Sequence, residues 1–288
     1  MSKKLTLVVG INPDKYEIDD HRLRKPVWHQ KHKNGQIVGS GLFQELDQIK
    51  IVPNEVIYFQ PNNIALLLSI SKKQLTNAIS FFNENFKNVS SFDYIQFNGN
   101  KKKFIGETSK LICDYIEFIE TSIVFSYTAV EAFANISIPE HFKYAYKNKS
   151  KNFEGNYDKN EIERWIPLTE KITKILPEIF KVKKPTRKNW WGDFIKLENL
   201  RHNIIHQKSI DSTEFYKEYF KKEIFRVCQS AEILIQYFYD ETAKQNKTHI
   251  MWPWLRKTKS EFPISFEFDE SKIEIVGNLY EGIKKKSL

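Results

Sequence analysis

The chain has 288 residues, 41% of them hydrophobic and 28% charged, with only 10 glycines and 10 prolines. That balance excludes a disordered chain, and the length predicts one large domain or two small ones. The formal charge of +9 points to a polyanion such as RNA, against the plainer alternative of a lysine-rich surface with its charge spread evenly.

No apolar run reaches the roughly 18 residues that suggest a membrane span, so no membrane partner is expected. A basic start at Lys3 and Lys4 leads into the short apolar run Leu5–Ile11. Asn12, Asp14 and Lys15 follow without a small-residue cleavage site, which predicts a buried first strand rather than a signal peptide. Cys113 and Cys228 make no metal spacing and no disulfide framework. A reducing cytoplasm is the expected compartment, and no cofactor or metal is expected.

Residues 1–100 read as a mixed α/β region suited to target or partner recognition. His21, His29 and His32 stand in a basic stretch with Trp28, which is either a solvated loop or an RNA-binding segment. Residues 36–41 hold two glycines but no helix-opening phosphate fingerprint. Glu55–Phe59 and Ile64–Ser69 are expected as strands around Gln60-Pro61-Asn62-Asn63. Lys72–Phe86 is expected as an amphipathic helix capped by Ser71, and Tyr94–Phe97 as a short strand.

Residues 104–246 change period. Thr108–Asn135 is a long helix with a wide apolar stripe, ended before Pro139. Glu140–Asn160 is polar and reads as a loop with a helical turn. Glu161–Ile166 and Leu168–Phe180 are helical pieces, with Pro177 kinking or ending the second. Lys181–Lys188 is a basic connector. Trp190–His206 is the next helix, with Phe194, Leu197, Leu200, Ile204 and Ile205 facing inward. After a break capped by Asp211 or Ser212, Thr213–Asn246 reads as a second long helix. Residues 247–288 hold Trp252 and Trp254 around Pro253. They then alternate through Ile264, Phe266 and Phe268 to Ile273 and Ile275, which predicts a β-hairpin tail packing on the N-terminal region. The fold class is therefore mainly α, an antiparallel helical bundle, with a smaller α+β part built from both chain ends.

The densest chemistry lies at Glu198-Asn199-Leu200-Arg201-His202-Asn203-Ile204-Ile205-His206. At about 100° per residue, Glu198, His202 and His206 share one helix face, while Arg201 lies about 140° from His206. Imidazoles move protons near neutral pH, and a guanidinium clamps phosphate oxygens in two-point fashion. Together these groups suit attack of an RNA 2′-hydroxyl on the adjacent phosphorus. The plainer alternative is a solvated helix face on which Glu198 pairs with Arg201 or His202. A zinc site from Glu198 and the two histidines is a third reading. It lacks the HExxH arrangement and sets the Arg201 charge against the ion.

Arg201, the polar His202, three further residues and His206, on a helix between long helices, resemble the signature of HEPN-domain proteins. The segment 126–135, with Glu131, is similar to their Glu-bearing first helix. The resemblance covers residues 104–246. It implies a metal-independent endoribonuclease cutting single-stranded RNA or tRNA as a homodimer with paired motif helices. Arg201 and His206 would be the invariant pair, His202 the variable polar position, and Glu131 and Asn203 accessory groups. It implies a setting in phage defence, abortive infection or a toxin–antitoxin pair, with an antitoxin or a regulatory RNA or protein as partner. HEPN-like bundles also serve as non-catalytic RNA-binding or protein-interaction modules, which is the rival expectation.

Overall fold

The computed structural model describes residues 4–10, 20–87, 94–95, 97–148, 153–207, 209–210, 213–245, 247, 249, 251–254, 262–266 and 269–278. Lys3, Asn12, Asp14, Lys15, Gln96 within the expected strand Tyr94–Phe97, Asp211, Ser212, Asn246 and Phe268 lie outside them. The chain divides into one unit of residues 1–66 and 238–288 and a second of residues 67–237. The described part is mainly α, with a smaller mixed sheet.

The first unit is built on β1 (Lys4–Gly10), β2 (Val27–Lys33), β3 (Gln36–Ile51) and β4 (Asn54–Phe59), with the late strands β7 (Ile264–Ser265) and β8 (Ile273–Asn278). Their order is β7-β2-β3-β1-β8, with β4 also on β3. The β2–β3 turn has Asn34 and Gly35 at positive φ, 53° and 78°. This is the left-handed pair that a tight hairpin needs. The basic stretch around His29 and His32 is thus strand, not loop. The tail does return to the N-terminal strands, but not as a hairpin. β7 runs parallel to β2 and β8 parallel to β1, at opposite edges of the sheet. Trp252 and Trp254 are buried in this unit. The Lys25 ammonium sits 4.6 Å from the Tyr239 ring centre and 5.1 Å from that of Trp254.

Helix α1 runs Asn63–Asn85, so Ile64–Ser69 is helix rather than strand. Asn62 decides the start: its Oδ1 accepts from the Ile64 and Ala65 amides at 3.0 and 3.2 Å. Ile64 is the one β-branched residue in Ile64–Leu68, and Ala and Leu are strong helix formers. The cap expected at Ser71 is a buried position inside the helix. Tyr94 and Ile95 form a turn, not a strand.

The second unit is organised on α2 (Lys101–Ile136), capped by Asn100. Its Ile119, Ile123, Val130 and Phe133 are fully or almost fully buried. Within the stretch expected as a loop, β5 (Tyr144–Asn148) pairs antiparallel with β6 (Phe153–Tyr157). Tyr146 and Tyr157 stack across it at 5.1 Å. A capping box of Asp158 and Glu161 opens α3 (Lys159–Trp165).

Next come α4 (Leu168–Glu170), a π-turn (Lys171–Ile175) and α5 (Leu176–Phe180). Pro177 has no amide to return to Thr173, four residues back. The Leu176 amide bonds Lys171 O, five residues back. The proline therefore widens the helix here instead of ending it. After a 3-10 turn at Pro185–Arg187 comes α6 (Trp191–Ile205), with Phe194, Leu197 and Leu200 buried.

The long helix expected over Thr213–Asn246 is divided into a 3-10 segment, Glu214–Phe220, and α7 (Ile224–Ala243). The Tyr115 hydroxyl donates to Tyr219 O at 2.8 Å, which engages a carbonyl that a continuous α-helix would use itself. Lys221 is extended and ends the turn.

Two measurements follow. Phe194→Ala, emptying a fully buried position, is expected to cost about 3–5 kcal/mol in urea unfolding, and a loss under about 1 kcal/mol would contradict this packing. Burial pushes the Cys228 thiol up to about 12, whereas Cys113 is exposed. Near pH 8 an aromatic disulfide reagent is expected to titrate one thiol in the folded chain and two after denaturation.

Candidate functional site

The site is built by α2, α4 with its π-turn, and α6. On α2, Tyr127, Glu131 and Asn135 recur at four-residue steps and so form one stripe. On α6, Leu197 and Leu200 are buried, and the residues between and after them turn toward that stripe or toward solvent.

Glu198 is the anchor. Its carboxylate accepts the Tyr127 hydroxyl at 3.0 Å and the Thr169 hydroxyl at 2.8 and 2.9 Å. The Tyr127 ring lies parallel to that of Phe194, 6.3 Å away. Burial first, and the Glu198 carboxylate second, push the Tyr127 phenol well above its ordinary range, so it remains a donor. Glu198 therefore pairs with neither Arg201 nor His202. Its partners fix the rotation of α6 on α2.

One turn later, an Arg201 terminal nitrogen lies 3.7 Å from a Glu131 carboxylate oxygen. The guanidinium carbon sits 5.1 Å from the centre of the Tyr127 ring. The Arg201 side chain is 25% exposed, yet its Nε is buried with no hydrogen-bond partner. A guanidinium so placed is held by a ring and an off-contact carboxylate, with donors left over.

Lys171, the first residue of the π-turn, is buried. Its Nζ donates to Asn135 Oδ1 at 2.8 Å and to Glu163 O at 3.0 Å. Burial pulls its ammonium below the usual lysine range, while the carboxylates of Glu163 and Glu131 oppose that shift. Glu131 thus feels two cations.

The helix ends at Ile205, and His206 leaves it at φ −119° and ψ 35°. The His206 amide still reaches His202 O at 2.9 Å. Both imidazoles are exposed, with ring centres 4.8 Å apart and planes inclined by 48°. Asn203 is also exposed and stands outside this group. Ile205 is 48% exposed and Ile204 half-buried, so the inward stripe stops at Leu200 rather than continuing to Ile205.

The structure thus brings Glu131 to Arg201 and pairs His202 with His206. Tyr127, Thr169 and Lys171 are polar members that sequence reasoning did not assign. The four-residue step from Tyr127 through Glu131 to Asn135 is the one signal that could have found part of this set. Among the described residues no three His, Cys, Asp or Glu side chains cluster closely enough to hold a metal ion. No helix is long and apolar enough to cross a membrane, again among the described residues. No protein-family model, curated protein or solved structure matches the chain.

Thr169→Val removes one donor from a half-buried carboxylate. It is expected to lower stability by about 1–3 kcal/mol in chemical unfolding, and an unchanged midpoint would deny Glu198 its anchoring role.

Proposed function

We propose that the chain is a metal-independent endoribonuclease that cuts single-stranded RNA or tRNA, carried on a HEPN-like helical bundle. The observations that support this best are an arginine with an unpaired buried Nε and, following it in sequence at the same helix end, two exposed imidazoles with ring centres 4.8 Å apart. The guanidinium supplies charge for the non-bridging phosphate oxygens as the pentacoordinate transition state forms. One imidazole accepts the 2′-hydroxyl proton while the 2′-oxygen bonds to phosphorus. The bond from phosphorus to the 5′-oxygen breaks, and an imidazolium returns a proton to that leaving oxygen. The products are a 2′,3′-cyclic phosphate and a 5′-hydroxyl.

His202 and His206 stand on one side of one helix end, whereas an in-line displacement places base and acid on opposite sides of phosphorus. A homodimer that faces two copies of α6 meets that need. His206 is then the proton carrier, Arg201 the phosphate clamp and His202 its assistant. Glu131 holds Arg201 until the phosphate displaces it, and Asn203 is an accessory contact. The setting proposed with this activity is cytoplasmic phage defence or a toxin–antitoxin pair, with an antitoxin or a regulatory RNA or protein restraining it.

A second reading has its own support. The Arg201–Glu131 pair already occupies the guanidinium, which suits a non-catalytic RNA-binding or protein-interaction module. Purified protein incubated with total RNA in EDTA separates the two. The nuclease reading expects cyclic-phosphate ends, with losses of about 10²-fold or more in Arg201→Ala and His206→Ala. RNA bound but left intact, or cutting that requires an added metal ion, would favour the alternatives.

A further inference from the structure

Residues 181–191 hold Lys181, Lys183, Lys184, Arg187 and Lys188 and no acidic residue. All five side chains are exposed. Among the described residues no carboxylate pairs with Lys183, Lys184 or Arg187.

This strap has a defined conformation. Lys181 takes the left-handed conformation that closes α5, and the Val182 amide returns to Pro177 O at 3.0 Å. The Tyr237 hydroxyl donates to Lys183 O at 2.6 Å. Pro185 is buried, and the 3-10 turn it opens sets Arg187 and Lys188 ahead of α6. The Lys188 ammonium lies 4.9 Å from the centre of the Tyr237 ring, which also contacts Trp190 at 5.9 Å. Like charges this near one another in sequence repel, and no carboxylate pairing with Lys183, Lys184 or Arg187 among the described residues offsets that repulsion. A polyanion would.

We propose that this strap binds the phosphate backbone of single-stranded RNA. The choice of RNA rests on the function proposed above. The strap leads directly into α6, and at about 1.5 Å per residue Trp191 and Arg201 are separated by about 15 Å along that helix. A single strand held at the strap therefore extends a few nucleotides before it meets Arg201. A lipid surface fits less well: none of the exposed large apolar side chains falls between residues 166 and 204, so the strap offers nothing to insert between lipids.

The test uses the full chain carrying Arg201→Ala, so that cutting does not interfere, and a labelled oligouridylate as probe. In that background Lys183→Gln, Lys184→Gln and Arg187→Gln are combined. They are expected to weaken binding about tenfold or more and to reduce the slope of log affinity against log salt by about 2. The matched control, Lys101→Gln with Lys102→Gln and Lys103→Gln, is expected to stay within about twofold of its parent. Equal affinity and slope in the strap variant would overturn the proposal. So would an equal loss in the control, or strap-dependent binding to phosphatidylserine vesicles and not to oligouridylate. Wild-type protein that binds RNA through the strap without cutting it would refute the nuclease and leave the strap standing.

Discussion

Everything at the site depends on one half-buried contact, the Glu198 carboxylate receiving hydroxyls from Tyr127 and Thr169. A carboxylate in this half-buried position needs donors, and an unmade bond there costs more than a made bond gains. Three elements meet in it: α2 through Tyr127, α4 through Thr169 and α6 through Glu198. Once it is made, α6 cannot rotate without stranding the charge. The next turn then presents Arg201 to Glu131 and leaves His202 and His206 in solvent. The parallel placement of Tyr127 on Phe194 adds an apolar reason for the same orientation.

The π-turn belongs to the same construction. Pro177 removes one amide from the helical ladder, and the widened turn begins at Lys171. That side chain reaches Asn135 on α2 and a carbonyl of α3. A buried ammonium is tolerable only with such partners and nearby carboxylates. Lys171 and Arg201 therefore both engage the polar stripe of α2, the first at Asn135 and the second at Glu131. The unused donors of Arg201 remain available to a phosphate.

Much of this was legible in the sequence where periodicity was strong. Ile119, Ile123, Val130 and Phe133 marked α2, and Phe194, Leu197 and Leu200 marked α6. The helix over Ile64–Leu68 was hidden because a short apolar run looks alike in strand and helix, and only the Asn62 cap distinguishes them. The break before α7 was hidden because it depends on Tyr115, about a hundred residues earlier in the chain. The edge positions of β7 and β8 depend on β2 and β1, which no local pattern names. At the site, Arg201 and the histidines stood out as a cluster. Glu198 looked like a helix-surface partner for Arg201 or His202, and its true partners come from two other elements.

The central claim is that Arg201 and the paired histidines promote attack by an RNA 2′-hydroxyl. Its most direct test is single-turnover cleavage of an oligoribonucleotide at a mapped position, set beside the same strand carrying a 2′-deoxy nucleotide at that position. The account predicts cutting of the first with a cyclic-phosphate product, and no cutting of the second at that position. Equal cleavage of both strands would contradict it.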